Sequence, residues 1–207
     1  MEHFVITIAR GYGSGGRVIG QMLAEALGVH FYDRDLLRLA SDESGINEQL
    51  FINADEKVKN TLLYKVAKKV YKGELIPPDR DDFVSNENLF NYQAEIIKAL
   101  AKTESCVIMG RCADYVLKDY DHVLSIYVHA PMEDCVRAVD KIAPVKNPRD
   151  YILTTDKRRG AYYRYFTGKD WKDANNYDLC LNSSDLGYEK CVEVVKAYLD
   201  IKQSTRK

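Results

Sequence analysis

Cysteine is sparse and poorly spaced for metal. Cys106, Cys112, Cys135, Cys180 and Cys191 include no Cys-x-x-Cys pair, and no histidine is spaced to complete a zinc site. Their odd number and lack of pattern exclude a disulfide framework. Cys106, Cys180 and Cys191 sit among apolar neighbours and are expected as small buried hydrophobes in a reducing compartment. Long hydrophobic runs are absent, none approaching the ~20 residues that span a bilayer, so no membrane partner is expected. Met1-Glu2-His3-Phe4-Val5 has no basic stretch followed by an apolar one, so a cytoplasmic location is expected. Charge of one sign is missing as well: 30 Lys and Arg against 31 Asp and Glu leave −1. That balance excludes a chain-wide grip on a nucleic-acid polymer and makes any positive patch local. What remains is 207 residues, 46% of them hydrophobic, enough for one buried core.

Phe4-Val5-Ile6-Thr7-Ile8 has the β-branched composition of a buried strand. It runs into Arg10-Gly11-Tyr12-Gly13-Ser14-Gly15-Gly16, after which Val18, Ile19, Met22, Leu23, Ala26 and Leu27 recur at helical spacing up to Gly28. Val29 to Tyr32 reads as a second strand ending at Asp33, which makes the opening a βαβ unit. Further strands are expected at Cys106–Met109, Val123–Val128 and Tyr177–Leu181, with helices at about 87–102, 131–139 and 186–201. Residues 36 to about 103 read as mostly helical and charged, with Leu62, Leu63, Val66 and Val70 on one face and an exposed loop at Glu74–Asp82. Five short strands separated by helices predict an α/β fold with a parallel sheet covered on both faces. His30, His122 and His129 lie in or beside strands without matching acid or cysteine partners and are assigned structural roles.

Glycines between a buried strand and a helix let backbone N–H groups approach an anion, and the helix dipole favours it, so the loop predicts phosphate binding. Two templates fit. Gly11-x-Gly13-x-x-Gly16 matches a dinucleotide fingerprint, with Asp33 twenty-two residues on where a ribose-binding acid belongs. Gly11-x-x-x-x-Gly16 is also the frame of a Walker A loop, although it continues Arg17-Val18 in place of Lys-Ser/Thr.

Several phrases together resemble a known family. Ile6-Thr7-Ile8 with Gly13-Ser14-Gly15 and Leu23-Ala24-Glu25-Ala26-Leu27-Gly28 is similar to the opening of bacterial cytidylate kinases. Val107-Ile108-Met109-Gly110-Arg111-Cys112-Ala113-Asp114, Asp156-Lys157-Arg158-Arg159 with Tyr162-Tyr163, and Tyr177-Asp178-Leu179 leading to Asn182-Ser183-Ser184 resemble the cytidylate kinase-like branch. The resemblance implies a three-layer P-loop fold whose core is residues 1–35 and 104–207. It further implies a helical acceptor-binding insertion at about 36–103 and a lid at about 150–173.

It also implies roles. Gly11, Gly13, Ser14, Gly15 and Gly16 would cradle ATP phosphates, Arg17, Arg158 and Arg159 would neutralise charge in transfer, and Asp33, Arg111 and Asp114 would hold the acceptor. From 156 to 172 the chain carries six basic residues against Asp156 and Asp170, and Tyr162, Tyr163, Tyr165, Phe166 and Trp171 would stack on a base or pack on the core. Aligned by Gly13-Ser14-Gly15, the lysine place is Gly16 and the Mg2+-binding hydroxyl is replaced by Val18, with Ser14 the nearest hydroxyl. The cofactors expected are ATP and Mg2+, with the usual hydroxyl ligand of the metal missing at Val18 and no metal-binding residue assigned in the chain. The function expected is a cytidylate-like kinase that transfers the γ-phosphoryl group of ATP to a small phosphorylated acceptor. A phosphate-sensing protein on the same fold and an NAD(P)-dependent oxidoreductase are the alternatives. The partner expected is a small-molecule nucleotide, and fifteen tyrosines leave a homodimer open.

Overall fold

The structure, a computed structural model, describes residues 3–33, 35–44, 48–57, 75, 85–142 and 145–205. The helical face expected at Leu62–Val70 and all of the Glu74–Asp82 loop except Leu75 lie outside the described residues.

Strand β1 (Val5–Arg10) leads through the glycine loop into helix α1 (Gly16–Leu27) and strand β2 (His30–Tyr32). Helices α2 (Asp35–Ser44), α3 (Glu48–Lys57) and α4 (Asn86–Thr103) follow, then β3 (Cys106–Met109) and the short α5 (Ala113–Val116). β4 (Val123–His129), α6 (Met132–Ile142), α7 (Pro148–Thr167), β5 (Leu179–Asn182), α8 (Ser183–Leu186) and α9 (Tyr188–Ser204) complete the described elements, with a 3-10 turn at Ala174–Asn176. The closing helix expected from Leu186 divides there, because Gly187 takes φ 76 and ψ 164, outside the helical region, and caps α9.

All strand pairs are parallel and the order is β2-β3-β1-β4-β5. β1 is central, with Val5 opposite both Cys106 and Val123. Its side chains alternate between two cores. Val5 and Ala9 face the layer of α4, α5 and α7 with Phe90, Ile97, Tyr163 and Phe166. Ile6 and Ile8 face α1 and α9 with Ile19, Leu23, Cys191 and Val195. Each fully buried Ile contributes about 1.5–3 kcal/mol. One expectation fails: Cys106 and Cys191 are buried, but Cys180 is exposed, because β5 is an edge strand and Cys180 lies on its open side.

The strand order decides between the two loop templates. A dinucleotide fold sets the second strand beside the glycine-loop strand, so that the acid at its end reaches the ribose. Here β3 separates β1 from β2. The oxidoreductase alternative therefore loses its geometric basis.

Candidate functional site

The glycine loop is packed against α6, α9 and the ends of β4 and β5. Gly13 and Gly15 take φ 79 and 77, which glycine adopts without a Cβ penalty. A Cβ on Gly13 would lie 2.8 Å from the Cys135 carbonyl oxygen, and one on Gly15 would lie 2.3 Å from the Tyr188 ring. The loop is therefore packed against α6 and α9. The Ser14 hydroxyl is buried and lies 2.9 Å from the Gly11 carbonyl oxygen and 3.1 Å from that of Val128. Ser183 donates to the Ser14 carbonyl at 2.6 Å, tying the loop to the end of β5.

Backbone donors show where a ligand fits. Gly11 N–H bonds to the Val128 carbonyl at 3.0 Å, and Ile19 N–H makes the first bond of α1, to Gly15. The N–H groups of Gly16, Arg17 and Val18 thus have no intrahelical acceptor, and no side chain caps α1. Orphan donors at the end of a 12-residue helix behind two left-handed glycines form a phosphate-sized nest.

Three arginines converge beside it. Arg10 ends β1 and is half-buried. Burial, the neighbouring Arg159 and Arg111 push its guanidinium down to about 9, against the opposing pull of Asp33 and Asp156. Among the described residues its guanidinium makes no hydrogen bond or ion pair. Arg159, on α7, donates to the Arg10 carbonyl at 3.3 Å, lies 3.7 Å from Asp156 and stands 5.2 Å over the Tyr12 ring. Burial lowers its pKa as well. Arg111 follows β3, where Gly110, Arg111 and Cys112 take φ 69, 57 and 54 in succession. Two left-handed non-glycine residues cost of order 1–3 kcal/mol each and persist only where the surroundings enforce them. The Ala113 N–H to Gly110 carbonyl bond closes this turn at 3.0 Å.

Asp156 accepts from the Tyr12 N–H at 2.8 Å, so α7 is latched onto the loop by its carboxylate. Burial raises the Asp156 pKa, partly offset by the Tyr12 hydrogen bond and Arg159. On the β4–β5 side, a cleft of about 370 Å³ opens between Gly11, Asp156, Tyr127, His129, Met132 and Lys172.

The expected residues divide. Gly11, Gly13, Gly15, Gly16, Arg111 and Arg159 lie at or beside the nest. Arg158 is exposed on α7, facing away from the side that carries Asp156 and Arg159. Arg17 has a side chain 61% exposed, and its Nε lies 3.1 Å from Asp33 Oδ2. Asp33 is thereby drawn to α1. Asp114 accepts from the Tyr163 hydroxyl at 2.6 Å, and burial raises its pKa to about 6. Tyr162, Tyr163, Phe166 and Trp171 are core residues, Phe166 stacking on Phe90 at 4.0 Å, so they do not stand over a ligand. Sequence reasoning missed Arg10, Asp156 and Ser183 as site residues. The signal for Arg10 was its place directly before the loop.

The residues present do not fit a protein-held Mg2+. The Ser14 hydroxyl faces backbone carbonyls, and Val18 is an apolar residue on the exposed side of the first turn of α1. The residue directly after Gly16 is Arg17, so the place next to the lysine position carries a guanidinium and no oxygen. Among the described residues no group of three His, Cys, Asp or Glu is placed to hold a metal.

Comparison with known proteins agrees with this geometry. Residues 5–185 match the model of the cytidylate kinase-like family. The cytidylate kinase of Pyrococcus horikoshii is 24% identical over 202 residues, 96% of this chain and 90% of that protein. That of Thermococcus kodakarensis is 28% identical over 102 residues, 48% of this chain and 52% of that one. Among solved structures, an uncharacterized protein from Eubacterium ventriosum superposes with a TM-score of 0.70 at 22% identity, covering 96% of this chain and 99% of that one. The shikimate kinase of Bacteroides thetaiotaomicron superposes with a TM-score of 0.53 at 14% identity, over 95% and 98% of the two chains. The fold is thus that of P-loop kinases, and a family match that takes in the glycine loop, Arg111 and the latch of α7 alike shows that the chain belongs to the cytidylate kinase-like family.

Proposed function

We propose that the protein is a small-molecule kinase that transfers the γ-phosphoryl group of ATP to a phosphorylated, cytidylate-like acceptor. The observation that carries this is the convergence of Arg10, Arg111 and Arg159 on an uncapped helix N-terminus. Burial and the like charges of Arg159 and Arg111 push the Arg10 guanidinium down, so holding these cations together carries a cost which a bound polyanion removes. Phosphoryl transfer asks the protein for positioning and charge neutralisation with little covalent chemistry. The nest would hold the donor's phosphates, Arg111 the acceptor's phosphate, and Arg159 the oxygens between them. In the transfer, the acceptor's terminal phosphate oxygen forms a bond to the γ-phosphorus as the bond to the β-bridging oxygen breaks, giving ADP and a diphosphate. Mg2+ would arrive with ATP, since the loop supplies it no side-chain oxygen. α7, tethered to the loop by the bond from the Tyr12 N–H to Asp156, would be the element that closes over the donor.

The test is 31P NMR of the protein with Mg-ATP and, separately, cytidylate, uridylate and adenylate. Loss of the γ resonance with growth of a new diphosphate signal, dependent on one acceptor, is expected. The altered loop favours a second reading, a sensor that binds without turnover. It would give line broadening of ATP with no product from any acceptor.

A further inference from the structure

Position 16, the place of the phosphate-binding lysine in the ordinary loop, cannot carry a side chain here. An ideal Cβ on Gly16 would lie 2.6 Å from the Arg10 Cβ and 3.0 Å from its Cγ. At the other end of the same side chain, a Cβ on Gly110 would lie 2.6 Å from Arg10 Nη1. Arg10 therefore runs in a slot bounded by two glycines, from the first residue of α1 to the end of β3. We propose that Arg10 is the phosphate-binding cation of this loop, delivered from the last residue of β1 in place of a lysine from α1, and that Gly16 and Gly110 are the clearances that admit it. The inference rests on the phosphate-binding reading of the nest and names the cation within it.

In the ordinary loop, the lysine that follows the last glycine reaches the β- and γ-phosphates. Here the residue that fills the equivalent space comes from six positions earlier in the chain. Its guanidinium ends between the nest and Arg111, the two ends of the proposed transfer. A planar fork can bond oxygens of two phosphoryl groups at once, where an ammonium acts as a point charge. The ligand class this selects is a polyphosphate tail. Arg17, the cation nearest the lysine place in sequence, is turned to Asp33 and solvent.

The experiment is titration calorimetry of inorganic tripolyphosphate and of ATP into the wild-type chain and four variants, each with its melting temperature. Arg10→Gln keeps the stem between the two glycines and removes the charge. It is expected to bind about 10- to 100-fold more weakly at a similar melting temperature, the loss of a charge-assisted bond. Arg17→Ala is expected within about threefold of wild type, the screened contribution of an exposed pair. Arg10→Gly loses the cation and opens the slot. Adding Gly16→Lys to it restores the ordinary arrangement and is expected to regain affinity over Arg10→Gly alone. Wild-type affinity in Arg10→Gln overturns the inference and leaves the phosphate site standing, because the wild-type chain still binds. Failure of the wild-type chain to bind either probe overturns both.

Discussion

Arg10 ends β1 half-buried, and burial first, then the charges of Arg159 and Arg111, push its guanidinium down to about 9. Arg10 was hidden in the sequence because its role depends on which side chain crosses Gly16, a contact that strand order and side-chain direction set. The glycines themselves were legible, since four in six positions exceed what a turn needs. Their strictness is testable. Gly15→Ala would place a methyl 2.3 Å from the Tyr188 ring at φ 77. It is expected to cost about 1–3 kcal/mol in urea unfolding. Asp114 gives a pH signature. Burial raises its pKa from about 3.9 in the unfolded chain to about 6, despite the Tyr163 hydrogen bond. The folded state thus binds the extra proton between pH ~4 and ~6, so this group's contribution is present at pH 4 and lost as pH rises through 6. Asp114→Asn removes the dependence. Its stability relative to wild type should climb by about 2–3 kcal/mol from pH 4 to pH 7, and a flat difference would contradict the assigned burial.

The element on which the site turns is α7. Ile152, Asp156, Arg159, Tyr163 and Phe166 follow one another at intervals of four and three, so one face of the helix carries core, latch, cation and core in order. Arg158 and Arg159 are neighbours in the chain, and helical geometry separates them by about 100°. Arg159 meets the loop and Arg158 meets water. Arg158→Ala is therefore expected to bind ATP within about twofold of wild type, whereas Arg159→Ala should bind it about tenfold or more weakly, measured by the same titration. The aromatic residues of this stretch could not be assigned from sequence, because a stripe that packs on Phe90 and one that covers a base have the same spacing. The start of α7 is local chemistry: Asn147 accepts from the Asp150 N–H at 3.3 Å, with Pro148 at the first helical position. Asn147→Ala should lower stability by about 1 kcal/mol without changing ligand affinity.

For the whole molecule, the βαβ opening and five strands could be read from composition and period, and the parallel sheet followed from them. The order of strands could not. It depends on which strands meet across crossovers, and a fingerprint of three glycines and one acid is compatible with both orders. With β3 set between β1 and β2, Gly110 and Arg111 come to lie beside the end of β1, and Arg10, Arg111 and the loop become one surface at the carboxyl edge. The most direct measurement is the melting temperature of the wild-type chain with ATP, ATP plus cytidylate, and NAD, each at a fixed millimolar concentration. A ligand at ~100 times its Kd adds ~2.7 kcal/mol, a rise of order 5–10 °C for a domain of this size. The account predicts a rise with ATP that grows when cytidylate is added, and none with NAD. A rise with NAD alone, or no shift with ATP, would contradict it.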